Sequence, residues 1–426
     1  MCCVNTKMNM EREIFRQILV EWQSIIPKIE LVKRPVVFEE KGCYVIVGIR
    51  QCGKSYLLYQ RVQELLSLGH NIDEIAYVSF DDERIRNMKA EEMNLILQAY
   101  ESLYSCRPIF FFDEIQNIEG WEYFARRLAN EKYVVYITGS NAKMLSREIA
   151  TTLGGRYWIQ NLHPYSFEEY LSAIGYEFQK HWEMGREQAQ VAQLFNDYFH
   201  FGGFPEIKDI VAKRNWLSGI YNKIFFSDIV VRNGVRNEEA LRMTVQRLAL
   251  SLKQPIAYNR ISNLVKSTGV STNPTSIIEF VRYLKESCIV FSIENYATKF
   301  VEKETIKKHY FEDNGLLNLF LTDPETSLLE NLCAVHLYRQ YGDELYFYNR
   351  HFEVDFYLPS KATAIQVCYD LNDTATYNRE IQALEKLSHV VKLNRLMIIT
   401  RDTEKIDRLE SDRIIEVVPV WKWLLT

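Results

Sequence analysis

The stretch "GIRQCGKS", Gly48 to Ser55, restricts the possible folds of this chain more than any other. It follows the apolar run "YVIV" (44 to 47) and precedes the helical pattern "YLLYQRVQELL", so G-x-x-x-x-G-K-S joins a predicted strand to a predicted helix, as a phosphate-binding loop does. Glycine at 48 and 53 lets backbone N–H groups turn inward as a nest with no Cβ in the way. Ile49, Arg50, Gln51 and Cys52 complete the loop and Tyr56 follows it into the helix. Lys54 then reaches the β- and γ-phosphates, Ser55 ligates Mg²⁺, and the helix N-terminus favours the anion. Such a loop requires a parallel sheet flanked by helices. The neighbouring sequence supplies strands at 44 to 47, 75 to 80, 108 to 112, 133 to 138 and 156 to 162, with amphipathic stretches such as "GWEYFARRLANE" between them.

With 426 residues, 47% hydrophobic and 25% charged, the chain can bury two or three domain cores. No run approaches the roughly 18 apolar residues of a membrane span, and the N-terminus lacks a signal-peptide core, so a cytoplasmic location away from membranes is expected. The eight cysteines contain no Cys-x-x-Cys pair, which implies neither zinc nor disulfides. A net charge of -5 excludes a surface coated with basic residues.

A second chemical element is "RPIFFFDEIQNI", an apolar strand ending in Asp113 and Glu114. Two carboxylates at the C-terminal end of a buried strand lie where open α/β sheets bind ligands. Asp113 would hold Mg²⁺ through water, and Glu114 would take a proton from the attacking water, its basicity raised by burial and adjacent negative charge. The third element, "YVVYITGSNAKML", ends a strand in Ser140 and Asn141. Here the chain resembles the additional-strand P-loop ATPases, AAA+ proteins included, whose polar residue on a strand between the two motif strands senses the γ-phosphate. A helix N-cap explains Ser140 or Asn141 equally well.

"GIRQCGKS", "FFFDEIQN", "ITGSNAKML", "LGGRYWIQNLHPYSFEEYL" and "FGGFPE" together resemble a widespread prokaryotic family of AAA+-like ATPases with a C-terminal domain similar to PD-(D/E)xK nucleases. The resemblance runs from Lys41 to about Asp402. It implies an α/β protein: a P-loop NTPase sheet (41–162) after an N-terminal helical segment (1–40), a helical lid (163–237), a winged-helix-like domain (238–320) and a restriction-endonuclease-like α/β domain (321–426). It also implies ATP and Mg²⁺ as ligands. Arg50 and Arg156 match recurring arginines, and Arg156 would stabilise γ-phosphate charge within its own subunit or across an oligomer interface. A salt bridge at a strand start accounts for Arg156 as well, and Arg147 is a weaker candidate for the same role.

Residues 242–308 carry eleven basic and five acidic side chains, a net +6 in a chain of -5. Their helix, turn, helix, strand pattern has winged-helix spacing, which points to DNA or a protein partner. Lys303, Lys307 and Lys308, in the wing "KFVEKETIKK", are the expected phosphate contacts. In the last domain, Asp355 matches the first carboxylate of a PD-(D/E)xK site and Glu330 a carboxylate that this fold often adds. Gln366 and Cys368, however, stand where Glu-x-Lys should be. Loss of such an electrostatic group costs roughly a hundred- to a thousandfold in rate, so the nuclease-like fold is expected without the activity unless Lys361 or Lys386 substitutes. The leading expectation is an ATPase that couples nucleotide state to domain movement. An ATP-gated nuclease and a slow ATP-dependent switch with a protein partner are the alternatives.

Overall fold

The computed structural model describes residues 2–141, 144, 147–178, 182, 186–297, 306–408 and 413–426. It contains two compact units, Met1–Leu162 and His163–Thr426.

In the first unit, β1 (Cys43–Val47), β2 (Ile75–Ser79), β3 (Ile109–Asp113), β4 (Val134–Gly139) and β5 (Tyr157–Asn161) form a sheet in the order β2-β3-β4-β1-β5. All neighbours run parallel. Strands β1 to β4 are apolar and buried almost throughout, as strands covered by helices on both faces are, whereas the edge strand β5 is largely exposed. Phe110, Phe111 and Phe112 are fully buried, each contributing roughly 1.5–3 kcal/mol, and this fixes where β3 ends and Asp113 begins. Helices α1 (Cys2–Ile25), α2 (Lys54–Ser67), α3 (Asn94–Leu103), α4 (Trp121–Asn130) and α5 (Arg147–Leu153) complete the unit. The sequence sets residues 1–40 apart, but α1 inserts Phe15, Ile18 and Leu19 into the same core as Val78 and Ala99. Its Trp22 ring lies 4.7 Å from that of Tyr77.

The second unit opens with α6 (Phe167–Ala173), α7 (Arg186–Phe201) and α8 (Lys213–Lys223), the predicted helical stretch. Its "FGGFPE" turn is tied down where the Gly203 N–H donates to the Asp313 carboxylate at 2.7 Å. Next come α9 (Glu238–Leu250), β6 (Ile256–Ala257), α10 (Tyr258–Lys266), α11 (Pro274–Glu286), β7 (Val290–Asn295), β8 (Ile306–Phe311) and α12 (Asn314–Asn318). The chain continues through α13 (Glu325–Tyr341), β9 (Tyr346–Asn349), β10 (Glu353–Leu358), β11 (Thr363–Val367), α14 (Thr374–Val390), β12 (Arg395–Thr400), β13 (Lys405–Arg408) and β14 (Ile414–Pro419). The sequence divides this region at 237 and 320. The structure instead carries one sheet through both later blocks, in the order β13-β14-β12-β11-β10-β9-β7-β8-β6. The join is the parallel pairing of Glu294 with Tyr346 and of Asn295 with Phe347. Among the described residues no helix is long and apolar enough to cross a membrane.

Candidate active site

The phosphate loop lies at the C-terminal end of β1, where Gly48 leaves the strand and Gly53, at φ 100°, turns into α2. A Cβ on Gly48 would stand 2.0 Å from the Leu162 carbonyl oxygen, so close packing against the end of β5 itself demands glycine there. Gln51 also has a left-handed backbone, at φ 63°. Ile49 and Cys52 are buried in the loop floor, the Cys52 thiol 3.4 Å from the Leu162 carbonyl, whereas Tyr56 is exposed on α2. The Arg34 guanidinium donates to the Cys52 carbonyl at 3.3 Å.

Lys54 is 3% exposed and donates to the carbonyls of Gly48 and Ile49, each at 3.2 Å, with Glu114 Oε1 at 3.6 Å. The Ser55 hydroxyl donates to Asp113 Oδ2 at 2.7 Å, which brings together the two residues predicted to serve Mg²⁺. Asp113 is buried and also accepts from the Tyr77 hydroxyl at 2.9 Å and from the Thr138 hydroxyl. Burial and the neighbouring Glu114 charge raise its pKa, while these hydroxyl donors oppose the shift.

Glu114 takes a left-handed backbone at φ 52°, an uncommon conformation for a non-glycine residue and one concentrated at functional sites. Its N–H donates to Thr138 Oγ1 at 2.9 Å, so one threonine on β4 fastens both carboxylate residues. Burial pushes the Glu114 carboxyl upward, but Lys54, Gln116, Arg50 and Ser140 together outweigh it and hold the pKa below its ordinary value. This corrects the raised basicity predicted from sequence: the cations beside Glu114 count for more than its acidic neighbour. At neutral pH Glu114 is therefore ionised.

The strand between the two motif strands is β4, between β3 and β1 as the additional-strand resemblance implies. Ser140 and Asn141, both buried, follow directly after its last residue, Gly139. The Gln116 amide donates to Glu114 Oε2 and, at 3.3 Å, to Ser140 Oγ, which ties the candidate base to the candidate sensor. A Cβ on Gly139 would come 2.5 Å from Gln116 Oε1, so the glycine makes room for this amide. Arg156 is not brought to the loop. It precedes Tyr157, which pairs with Cys43 at the start of β1, so it lies at the opposite end of the strands, roughly 16 Å away at 3.3 Å per residue. There it is exposed and donates to the Gly154 carbonyl at 3.3 Å, and among the described residues it forms no salt bridge. The side chain of Arg147 lies outside the described residues.

Sequence reasoning missed Thr138, Tyr77, Gln116 and Arg34. Thr138 carried a signal, a hydroxyl inside an otherwise apolar strand; the others are assembled by strand register and the path of the N-terminal segment.

In the second unit Glu330, Asp355 and Gln366 line one cavity. Asp355 sits in a register irregularity between β10 and β9, and its N–H donates to Gln366 Oε1 at 2.8 Å. Gln366 Nε2 donates to Glu380 Oε2 at 2.8 Å, so this amide serves as a clasp. Cys368 is buried and its thiol donates to the Asp370 carbonyl at 3.1 Å; burial raises its pKa to about 11. The expected phosphate contacts also differ. Lys308 is fully buried, Lys307 pairs with Glu294 at 3.1 Å, and Lys303 lies outside the described residues. Strand β8 turns Lys308 into the protein, and Lys307 is paired with Glu294, so neither is a free basic contact on β8. Lys386 lines the cavity beside Asp355, but the lysine that reaches the carboxylates is Lys308.

Residues 40–171 match the family described as "AAA domain" and residues 192–327 match "Domain of unknown function (DUF8612)". The first unit is thus an AAA-type P-loop ATPase domain. The "Uncharacterized protein MJ1544" of Methanocaldococcus jannaschii is 30% identical over 428 residues, covering 97% of this chain and 95% of that protein. The chain belongs to the same family as that archaeal protein. An "Uncharacterized protein" of Haemophilus influenzae is 29% identical over 89% of this chain and 94% of its own. Among solved structures, the Aeropyrum pernix ORC1 protein in complex with DNA aligns over 74% of this chain and 92% of its own, at 14% identity and a TM-score of 0.29. AMPPCP-bound DnaA from Aquifex aeolicus aligns over 63% and 86%, at 15% identity and a TM-score of 0.26. Overlaps this low support nothing further about the present chain.

Proposed function

We propose that the protein is a Mg²⁺-dependent ATPase, hydrolysing ATP to ADP and phosphate, and that turnover moves the second unit. The observation that carries this reading is the 2.7 Å contact between the Ser55 hydroxyl and the Asp113 carboxylate, with Glu114 3.6 Å from Lys54. A hydroxyl oxygen and a carboxylate oxygen at one strand edge are hard donors that fit Mg²⁺, so Ser55 and Asp113 would hold it. Bound there, it would neutralise charge on the β- and γ-phosphate oxygens. Lys54 exchanges its carbonyl partners for phosphate oxygens, the Gly48–Ser55 backbone orients the triphosphate, and Glu114 accepts the proton of the attacking water. Ser140 and Gln116 hold that carboxylate in position. Since Arg156 stands roughly 16 Å from its own loop, any role at a γ-phosphate would be exerted on a neighbouring subunit.

Coupling is supported by the last residue of the first unit. The Leu162 N–H donates to the Val47 carbonyl at 2.7 Å, and the Leu162 carbonyl rests against Gly48 and Cys52. The chain enters the second unit at the next residue, so a shift of the loop on hydrolysis would pull directly on that connection.

The test is ATP binding and phosphate release for the wild type, Lys54→Ala and Glu114→Gln. Lys54→Ala should lose ATP binding. Glu114→Gln should retain it while turnover falls by about 10²- to 10⁴-fold. Undiminished turnover in Glu114→Gln would remove that residue as the base. A wild-type rate below about one event per minute would favour a timing switch over an energy-coupled machine.

A further inference from the structure

Lys308 on β8 is the one lysine of the second unit that is fully buried among the described residues. Its Nζ lies 2.9 Å from Glu353 Oε1, 3.1 Å from Glu330 Oε1 and 3.3 Å from Asp355 Oδ1. The ammonium donates to Glu330 and Asp355 and makes an ion pair with Glu353, so carboxylates from α13 and β10 surround it. Each carboxylate is in turn held by a neutral donor. The Tyr310 hydroxyl bonds Glu330 Oε1 at 2.8 Å, the Val367 N–H bonds Asp355 Oδ2 at 2.9 Å, and the Asn349 amide bonds Glu353 Oε2 at 3.1 Å. The three oxygens thus face the ammonium, and among the described residues no group of three acidic, histidine or cysteine side chains is placed to hold a metal ion. Burial alone would lower the Lys308 pKa, but Glu330, Tyr310, Asp355 and Glu353 more than compensate and hold it well above its ordinary value.

The nuclease-like resemblance implies a metal ion at Asp355. The residues present do not fit one, because the converging oxygens are already committed to an ammonium and the Gln366 amide is spent on Asp355 and Glu380. We infer that Lys308 is a resident cation that takes the metal position of the Glu330, Glu353 and Asp355 cluster, making it a metal-independent structural joint between β8, β10 and α13. The cluster borders a cavity of about 710 Å³ lined also by Cys368, Arg379 and Glu380. A hydrated ion can therefore reach the carboxylates, and it is Lys308 that keeps it out.

The test is a Mn²⁺ titration of the full chain without nucleotide, read by electron paramagnetic resonance and by thermal melting. The wild type should show no Mn²⁺ binding that Asp355→Asn abolishes. Lys308→Met should melt roughly 10 °C lower, as expected for uncompensated buried charge. It should also gain one Mn²⁺ site, recover several degrees on adding the ion, and lose both gains when Asp355→Asn is added. If Lys308→Met alone does not fold, Lys308→Met with Glu353→Gln, which leaves one fewer unbalanced carboxylate, carries the same titration. Asp355-dependent Mn²⁺ binding by the wild type overturns the inference. So does a folded Lys308 variant that gains no site.

Discussion

Two lysines meet carboxylates in this molecule, and they differ in how firmly the structure holds them. Lys54 rests against two backbone carbonyls at 3.2 Å and lies 3.6 Å from a carboxylate that remains 13% exposed. Lys308 has three carboxylate partners between 2.9 and 3.3 Å and no exposure. The first can trade weak partners for phosphate oxygens at little cost. The second would have to leave several carboxylates unbalanced, so it does not move. Proximity of a lysine to acidic residues says little about function until the number of partners and the burial are known.

The largest effect that would break this comparison concerns Glu114. Its pKa is held below the ordinary carboxylate range mainly by Lys54, so it is ionised and ready to accept a proton at neutral pH. Glu114→Gln should reduce steady-state phosphate release by about 10²- to 10⁴-fold while leaving ATP affinity within a few-fold of the wild type. Parallel loss of binding and turnover would mean that the residue serves the fold of the loop instead.

The two lysines should differ equally in stability. Lys308→Met is expected to cost about 3–5 kcal/mol in urea unfolding, because buried Glu330 and the partly exposed Asp355 and Glu353 lose their counter-ion. Lys54→Met should cost only about 1 kcal/mol, since two neutral carbonyls and one partly exposed carboxylate lose a donor. Equal costs would erase the distinction drawn above.

The Lys308 cluster also makes a pH prediction. Burial raises the Glu330 pKa to about 7 against Lys308, which lowers it. A carboxyl with a raised folded pKa binds its proton more tightly in the native state. Its contribution is therefore complete below the unfolded value near 4.5 and is lost as pH rises toward 7. The unfolding free energy should fall more between pH 5 and pH 7.5 for the wild type than for Glu330→Gln. A variant with the same pH slope as the wild type would show that Glu330 is ionised throughout.

How much of this was readable beforehand follows from the range over which each feature is encoded. The loop 48–55, Asp113, Glu114 and the five parallel strands are local patterns, and all lie where the sequence predicts. The intermediate strand leading to Ser140 was readable for the same reason. Thr138 and Gln116 were not, because their roles depend on β4 lying beside β3 and on the turn after Glu114 folding back. Lys308 was misread altogether. In sequence it belongs to a basic run beside Lys307, and charge density suggests a solvent-facing wing. Its burial becomes favourable only when Glu330, Glu353 and Asp355 arrive from two other elements, and nothing within ten residues announces them. The boundary at 320 failed similarly, since the pairing of β7 with β9 joins segments some fifty residues apart.

The smallest predicted effect bears on Gln116, where positioning must be separated from packing. Its amide bonds Glu114 and Ser140, and its other end lies over Gly139. If the amide orients the carboxylate, Gln116→Ala should lower kcat about tenfold with ATP affinity unchanged, the usual scale for a misplaced catalytic group. A second readout distinguishes this from a simple void. The Gln116 donor helps hold the Glu114 pKa down, so its removal should raise that pKa and shift the acid limb of the kcat profile to higher pH. Gln116→Glu, which puts a negative charge beside the same carboxylate, should shift the limb further in the same direction. A lower kcat with an unmoved acid limb in both variants would reduce Gln116 to a filler over Gly139 and leave Lys54 as the residue that sets the charge of the base.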